Sequence, residues 1–371
     1  MKITINTSAA KIKNAVVLAS KFVNKAGDYS NQVILSGNEN ELTVKASNNM
    51  EAILVKDIHF TCTDMTIDSF KEIAVDSVKL TKVLQIAKSE NVSLKLDENF
   101  ITVISGSSKI KVERFVEVQK ISLNTNDDMK ELVIGQELSG MLDKAYHAID
   151  KDSSRIELSG ANLIVKNNKT IVAATDTKSL AVISKNIKSN NDLNIIIPKI
   201  GIKTIVGLFG KASIVAKVDD FKLLMESKNV NYSVKLINGK FPEWQKIVPK
   251  EEQQTVVLNK KLFTSMLEEA SIFNNEIIIK INSNKIEMKD FEDNTSITEE
   301  YESNIHTDVK FAINSKMFLE FLKTVSQDEI KLGFNDTNLP LVLSVDEEHK
   351  EICMPIAFSE EIGDINSENV A

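Results

Sequence analysis

The chain has 371 residues, of which 42% are hydrophobic and 26% charged, and its formal net charge is -8. At roughly 100–200 residues per domain, that length holds two to four domains. The acidic balance excludes a uniform basic coat but leaves room for a local basic surface, and only 12 glycines and 5 prolines exclude a low-complexity or collagen-like polymer.

In chain order, one pattern recurs six times: a short β-branched strand, often a polar capping residue, then a helix of roughly three turns. The first copy is Ile3-Thr4-Ile5 followed by a helix from Ala9 to Val23, and the second is Ile73-Ala74-Val75 followed by Val78 to Lys88. The third is Leu132-Val133-Ile134 with Glu137 to Ile149, and the fourth is Ile195-Ile196-Ile197 with Pro198 to Phe209. The fifth is Val256-Val257-Leu258 with Lys260 to Ile272, and the sixth is Phe311-Ala312-Ile313 with Lys316 to Val325. Asn6-Thr7-Ser8, Asp76-Ser77, Asn259 and Asn314-Ser315 stand just before helices, where Asn, Asp and Ser accept unpaired N–H groups, and Pro198 suits a first helical position. The odd copies start at Ile3, Leu132 and Val256 and the even copies at Ile73, Ile195 and Phe311. Each series therefore repeats about every 120 residues, which predicts three modules of two strand–helix halves each.

Polar stretches at Ser122 to Lys130 and Pro249 to Thr255 place the modules at 1–122, 130–249 and 255–371. The remainder reads as strands with tight connections, such as Glu41 to Lys45 and Phe100 to Ile104. The predicted fold class is α+β, with antiparallel sheets and one pair of helices per module. Ser359 to Ala371 reads as a loose acidic tail.

Charge is segregated. The first, second and fourth helices carry Lys11, Lys13, Lys21, Lys25, Lys79, Lys82, Lys88, Lys199, Lys203 and Lys211 without an acid among them. Basic helices in an acidic chain suit a surface that faces a polyanion, although lysine is also an ordinary helix former on solvated faces. The chain has only two arginines, Arg114 and Arg155, so any bidentate guanidinium contact must use one of them.

Signatures of catalysis are sparse. Gly207-Leu208-Phe209-Gly210-Lys211 resembles the end of a phosphate loop, but Ile205 and Ala212 stand where that loop needs Gly and Ser or Thr; a helix end fits better. His59, His147, His306 and His349 lack metal-ligand spacing and read as surface or structural residues. Glu299-Glu300 and Asp346-Glu347-Glu348 read as solvated loops. No catalytic centre, metal or cofactor is expected. Two cysteines, Cys62 and Cys353, make no disulfide framework, and with no signal-peptide pattern and no long apolar run the expectation is a cytoplasmic protein without a membrane partner.

Three stretches then carry a resemblance. Ala174-Thr175-Asp176-Thr177-Lys178-Ser179-Leu180-Ala181, Ile237-Asn238-Gly239-Lys240-Phe241-Pro242-Glu243-Trp244 and Met354-Pro355-Ile356 resemble the bacterial sliding clamp, the beta subunit of DNA polymerase III, in order and at the expected spacing. The resemblance implies a non-catalytic, nucleoid-associated processivity factor: a head-to-tail homodimeric ring around duplex DNA, with helices lining a central pore and sheets outside. It implies a cleft between the second and third modules that takes short peptides of polymerase subunits, clamp loader and repair proteins. The matching cleft positions are Arg155, Leu158, Thr175, Thr177, Lys178, Ser179, Leu180, Pro242, Lys246, Ile247, Ile352, Cys353, Met354, Pro355, Ile356, Ala357 and Phe358. Lys11, Lys21, Lys25, Lys79, Lys82, Lys199 and Lys203 are the candidates to face DNA, and Ile110 and Val112 would meet Ile272 and Phe273 at the dimer seam. Thr177-Lys178-Ser179 replace the family's common Gly-His-Arg, and Ala357 replaces an Arg, so the cleft rim is altered. The Phe-Pro that often closes the first module is missing near Arg114-Phe115, and Ser359 to Ala371 extend past the usual end. A scaffold that binds only proteins is the rival reading.

Geometry favours two chains. With helices packed about 8–10 Å apart and about 10 Å wide, six around a circle leave a hole of ~9 Å and twelve a hole of ~28 Å. Only the second admits B-DNA, roughly 20 Å across.

Overall fold

The computed structural model describes residues 3–38, 40–62, 70–125, 128–150, 152–189, 191–283, 285–292, 294–300 and 308–357. Phe358, His306 and the acidic stretch Ser359 to Ala371 lie outside the described residues.

The chain begins with β1 (Ile3–Ser8), α1 (Ala9–Ala19), β2 (Gln32–Asn38), β3 (Glu41–Ser47), β4 (Glu51–Cys62), β5 (Phe70–Asp76), α2 (Ser77–Gln85), β6 (Asn91–Leu96), β7 (Phe100–Ser105), β8 (Ser108–Glu113) and β9 (Lys130–Ile134). It continues with α3 (Gln136–Ala145), β10 (Gly160–Lys166), β11 (Lys169–Thr175), β12 (Ser179–Lys185), β13 (Leu193–Pro198), α4 (Lys199–Phe209), β14 (Ile214–Val218), β15 (Lys222–Glu226) and β16 (Val230–Lys235). The last part is β17 (Gln254–Asn259), α5 (Lys260–Ala270), β18 (Glu276–Ile281), β19 (Lys285–Asp290), β20 (Ser296–Glu300), β21 (Val309–Asn314), α6 (Ser315–Thr324), β22 (Glu329–Phe334), β23 (Leu341–Asp346) and β24 (His349–Cys353). All six strand–helix copies are present, and the α+β class with antiparallel pairing holds.

The helix starts follow the predicted caps. Asp76 accepts the Lys79 amide at 2.8 Å and Asn259 the Leu262 amide at 3.0 Å. Ser8 and Asn314 cap α1 and α6 in the same way. Each such cap contributes about 1 kcal/mol. The ends differ from the sequence pattern. α1 and α3 stop at Ala19 and Ala145 and tighten into 3-10 turns at Ser20–Phe22 and Tyr146–Ala148. Pro198 is not the first helical residue; it is extended, with ψ 150, and closes β13. Gly207 to Gly210 is the end of α4, as expected.

Two compact units form. The first comprises Met1–Gly135 and Ala212–Leu236, the second Gln136–Lys211 and Ile237–Ala371. In the first, a twelve-stranded sheet runs in the order β8-β7-β6-β1-β4-β16-β15-β14-β9, with β2, β3 and β5 branching from β4. Alternate residues of β1 and β3 are buried, which is the period that a strand with one covered face requires. Helices α1 and α2 pack side by side, and Ile12, Val16, Ala19, Leu80 and Leu84 are buried. Between β4 and β16 the Tyr232 hydroxyl donates to Glu51 Oε1 at 2.6 Å, which satisfies a carboxylate only 4% exposed.

In the second unit an eight-stranded sheet runs β13-β10-β11-β12-β24-β23-β22-β17, beside a four-stranded sheet β20-β19-β18-β21. α3 packs on α4, and α5 on α6. One core joins Phe263, Leu267, Phe311, Phe318, Phe321, Phe334 and Cys353. Each such large side chain contributes roughly 1.5–3 kcal/mol on burial, and the Phe311 and Phe334 rings meet edge to face at 4.9 Å. A smaller core gathers Ala173, Leu180, Ile196, Ile237, Phe241, Trp244, Val342 and Ile352. The β10–β11 hairpin turns on Asn167 and Asn168, at φ 50 and 59, the left-handed pair that matches strand twist.

Candidate functional site

The site begins at the turn between β11 and β12. Asp176 Oδ1 accepts the amides of Lys178 at 3.0 Å and Ser179 at 2.7 Å, and the Ser179 hydroxyl at 3.2 Å. The Thr175 hydroxyl donates to the Ser179 carbonyl at 2.6 Å. This closes the turn tightly enough to hold Thr177 at φ 76. A β-branched residue is strained there, at a cost of about 1–3 kcal/mol.

That turn is tied to the chain segment leaving β24. The Met354 amide donates to the Lys178 carbonyl at 2.9 Å, and the Ile356 amide to the Ala312 carbonyl at 2.7 Å. Alternation along β24 then divides its side chains. Ile352 joins the smaller core with Leu180, whereas Cys353 joins the larger one. Burial, reinforced by Glu351 and Asp176, pushes the Cys353 thiol well up.

The expected cleft residues therefore divide into packed and open ones. Leu158, Leu180 and Ile352 are buried, while Ile247 is 49% and Met354 40% exposed. Of the others, Arg155, Thr177, Lys178, Lys246 and Ala357 are exposed, Pro242, Pro355 and Ile356 half-buried, and Thr175 and Ser179 buried. Arg155 Nε donates to Glu157 Oε1 at 3.1 Å. Lys246 and Lys240 both pair with Glu243 and hold its carboxyl below the usual range. An adjoining cavity of about 490 Å³ is lined by Tyr146, His147, Asp176, Lys178, Lys199 and Met317, among others.

Several expectations need correction. Leu158, Leu180 and Ile352 are each under 4% exposed, so they offer a partner little open surface. Cys353 joins the larger core instead of the smaller one. Ile247 and Met354 are the exposed apolar members of the expected set, and Phe241 and Trp244, absent from that set, share the smaller core with Leu180 and Ile352. The motif Phe241-Pro242-Glu243-Trp244 was the available signal.

Of the candidate lysines, Lys11, Lys21, Lys25, Lys79, Lys82 and Lys203 are exposed. Lys11 leans on Asp57, donating to its carbonyl at 3.1 Å. Lys199 is different. Its ammonium donates to the Ile149 carbonyl at 2.7 Å and lies 4.7 Å from the centre of the Tyr146 ring, so it serves the cavity wall and is not a free charge for phosphate.

At the expected seam, Ile272 is 68% and Phe273 72% exposed. Ile110 is half-buried, but Val112 is 2% exposed and faces the core, so its side chain is unavailable to a partner. Strand β8 nevertheless ends its sheet and carries exposed Lys109 and Lys111, while β20 ends the four-stranded sheet and carries exposed Glu299 and Glu300. Those glutamates sit on a strand and not in a loop.

Comparison with known proteins identifies the family. Sequence profiles of the DNA polymerase III beta subunit match the chain at residues 131–243, the central domain, and 245–357, the C-terminal domain. A beta sliding clamp of Helicobacter pylori is 24% identical over 375 residues, covering 94% of this chain and 96% of that protein. One of Staphylococcus epidermidis is 21% identical over 347 residues, covering 88% and 89%. The solved sliding clamp of Bacillus subtilis superposes with a TM-score of 0.88 at 15% identity, over 97% of this chain and 100% of that one. The Helicobacter pylori beta clamp bound to a DNA ligase peptide gives 0.85 at 22% identity, over 96% and 100%. With the clamp fold and two adjoining domain matches in register, the chain belongs to the DNA polymerase III beta subunit family, the bacterial sliding clamps.

Proposed function

We propose that the protein closes as a head-to-tail homodimer around duplex DNA and tethers polymerase subunits, clamp loader and repair proteins through the cleft in its second unit. The observation that supports this reading is that Ile247 and Met354 are exposed, Leu180 and Ile352 share a packed core, and the turn before β12 is hydrogen-bonded to the segment after β24. A short peptide with a Gln and one or two large apolar residues fits such a slot. Each Leu or Phe buried contributes roughly 1.5–3 kcal/mol, and ordering the peptide offsets part of it. A lone peptide therefore binds at micromolar concentrations, and more tightly when its owner also holds the DNA.

The protein acts as a non-catalytic accessory subunit in the cytoplasm, at the nucleoid. The three modules 1–122, 130–249 and 255–371 are its repeating units, in keeping with the six strand–helix copies. Sliding needs contacts to phosphate, which every sequence shares, and none to base edges. Exposed Lys25, Lys82 and Lys203 on or beside α1, α2 and α4 suit that role. The test is retention on nicked circular DNA after loading. The wild type should stay on the circle and leave when it is linearised, and replacing the three lysines by Glu should lower retention and polymerase processivity. Equal retention on linear DNA, or an unchanged triple variant, would point to the protein-only scaffold or to other contacts.

A further inference from the structure

The second unit holds a buried ionisable pair that tethering alone does not require. Glu351 on β24 is 0% exposed, and its Oε2 lies 3.2 Å from Nε2 of His147, on the 3-10 turn after α3. His147 also forms part of the 490 Å³ cavity whose wall shares Asp176, Lys178 and Ser179 with the cleft rim. Three residues past Glu351 the chain supplies Met354. We propose that the His147–Glu351 pair is a positioning pair that holds β24 against the β11–β12 turn only while it retains a proton, so that peptide affinity in the cleft falls as pH rises. This rests on the cleft reading above.

The electrostatics support it. Burial raises the Glu351 carboxyl, opposed by His147 and by Ser179. Burial would depress the His147 imidazole, but hydrogen bonding and charge from Glu351 more than offset it, helped by the Lys144 carbonyl and Glu320. Both shifts keep a proton on the pair. The groups facing it are Lys144 from the α3 side, Glu320 on α6, Asp176 and Ser179 at the turn, and on β24 His349 and Cys353. When the last proton leaves, an anionic Glu351 remains in an apolar site beside a neutral imidazole, an arrangement that interiors do not tolerate. The strand then yields, and with it Met354.

The experiment is anisotropy titration of an acetylated, amidated, labelled peptide bearing one Gln and a Leu-Phe pair but no titratable side chain, from pH 6 to 9. The wild type should bind more weakly at pH 9 than at pH 6.5, with tenfold corresponding to a difference of about one pKa unit between the free and peptide-bound protein. Glu351→Gln, which stays neutral at every pH, should bind like the wild type at pH 6.5 and show a flat profile. His147→Gln should weaken binding throughout, without the slope. Parallel profiles in wild type and Glu351→Gln would overturn the proposal while leaving the cleft intact. Absence of peptide binding by the wild type at every pH would instead remove the cleft reading, and this inference with it.

Discussion

His349 shows how far one residue's role can hide in a sequence. It looks like the end of an acidic run, Asp346 to Glu348, whose turn the Asp346 carboxylate does close by accepting the Glu348 and His349 amides. Yet the imidazole is 2% exposed, tilted against Phe321 at 5.1 Å, and pushed down to about 4 by burial, with Lys144 and His147 adding to the effect and Asp346 opposing it. The unfolded chain takes up this proton near pH 6.5 and the folded one only near 4, so stability is lost as pH falls through that interval. The full effect is about 3 kcal/mol. Urea denaturation at pH 7.5 and 4.5 should show that His349→Asn loses about 2–3 kcal/mol less than the wild type between the two. Equal losses would mean that the imidazole is free to charge in the fold. The burial of His349 against Phe321 on α6 and the His147–Glu351 pair, some two hundred residues apart in sequence, both depend on tertiary packing that no local pattern encodes.

At the level of elements the sequence was more informative, and unevenly so. The starts of α1, α2, α5 and α6 were readable because a capping side chain acts within three residues. The ends of α1 and α3 were not, since apolar spacing continues through a 3-10 turn as smoothly as through an α-helix. The cleft was half legible. Its motifs were visible, but which side chains open to solvent depends on the β12–β24 register, and Leu180, opposite Ile352, falls on the packed side. Met354→Ala with Ile247→Ala should therefore weaken peptide binding about a hundredfold, by loss of roughly 3 kcal/mol of burial, without changing the thermal midpoint. Leu180→Ala should instead cost about 2–5 kcal/mol of stability by opening a cavity in the smaller core. Calorimetry beside anisotropy separates the two, and a stable Leu180→Ala protein that has lost only peptide binding would reverse the assignment of packed and open residues.

For the whole molecule, the threefold repeat and the family motifs were enough to reach the clamp fold, whereas the compact units cut the chain at Gly135, Lys211 and Leu236, boundaries that no composition shift marks. Sheet pairing across the chain, such as β16 on β4, sets them. In the proposed dimer, the exposed Ile272 and Phe273 are the candidate seam. Replacing both by Asp should convert the dimer to a monomer in sedimentation, with the secondary structure unchanged by circular dichroism. A dimer that survives would move the seam elsewhere.

The charges on the two sheet edges have a consequence for how copies can meet. Lys109 and Lys111 mark the β8 edge, and Glu299 and Glu300 the β20 edge. Even with exposed Glu113 counted, joining β8 to β8 would bring two net-positive edges together, and β20 to β20 two net-negative ones, each unfavourable across a strand pair. Only unlike edges attract. A chain with one edge of each kind cannot satisfy itself in an isologous pair through either edge alone; it must pass its sense of direction to the next copy. In the proposed ring the two faces would then differ, and a partner held on one of them would meet the DNA with a fixed polarity.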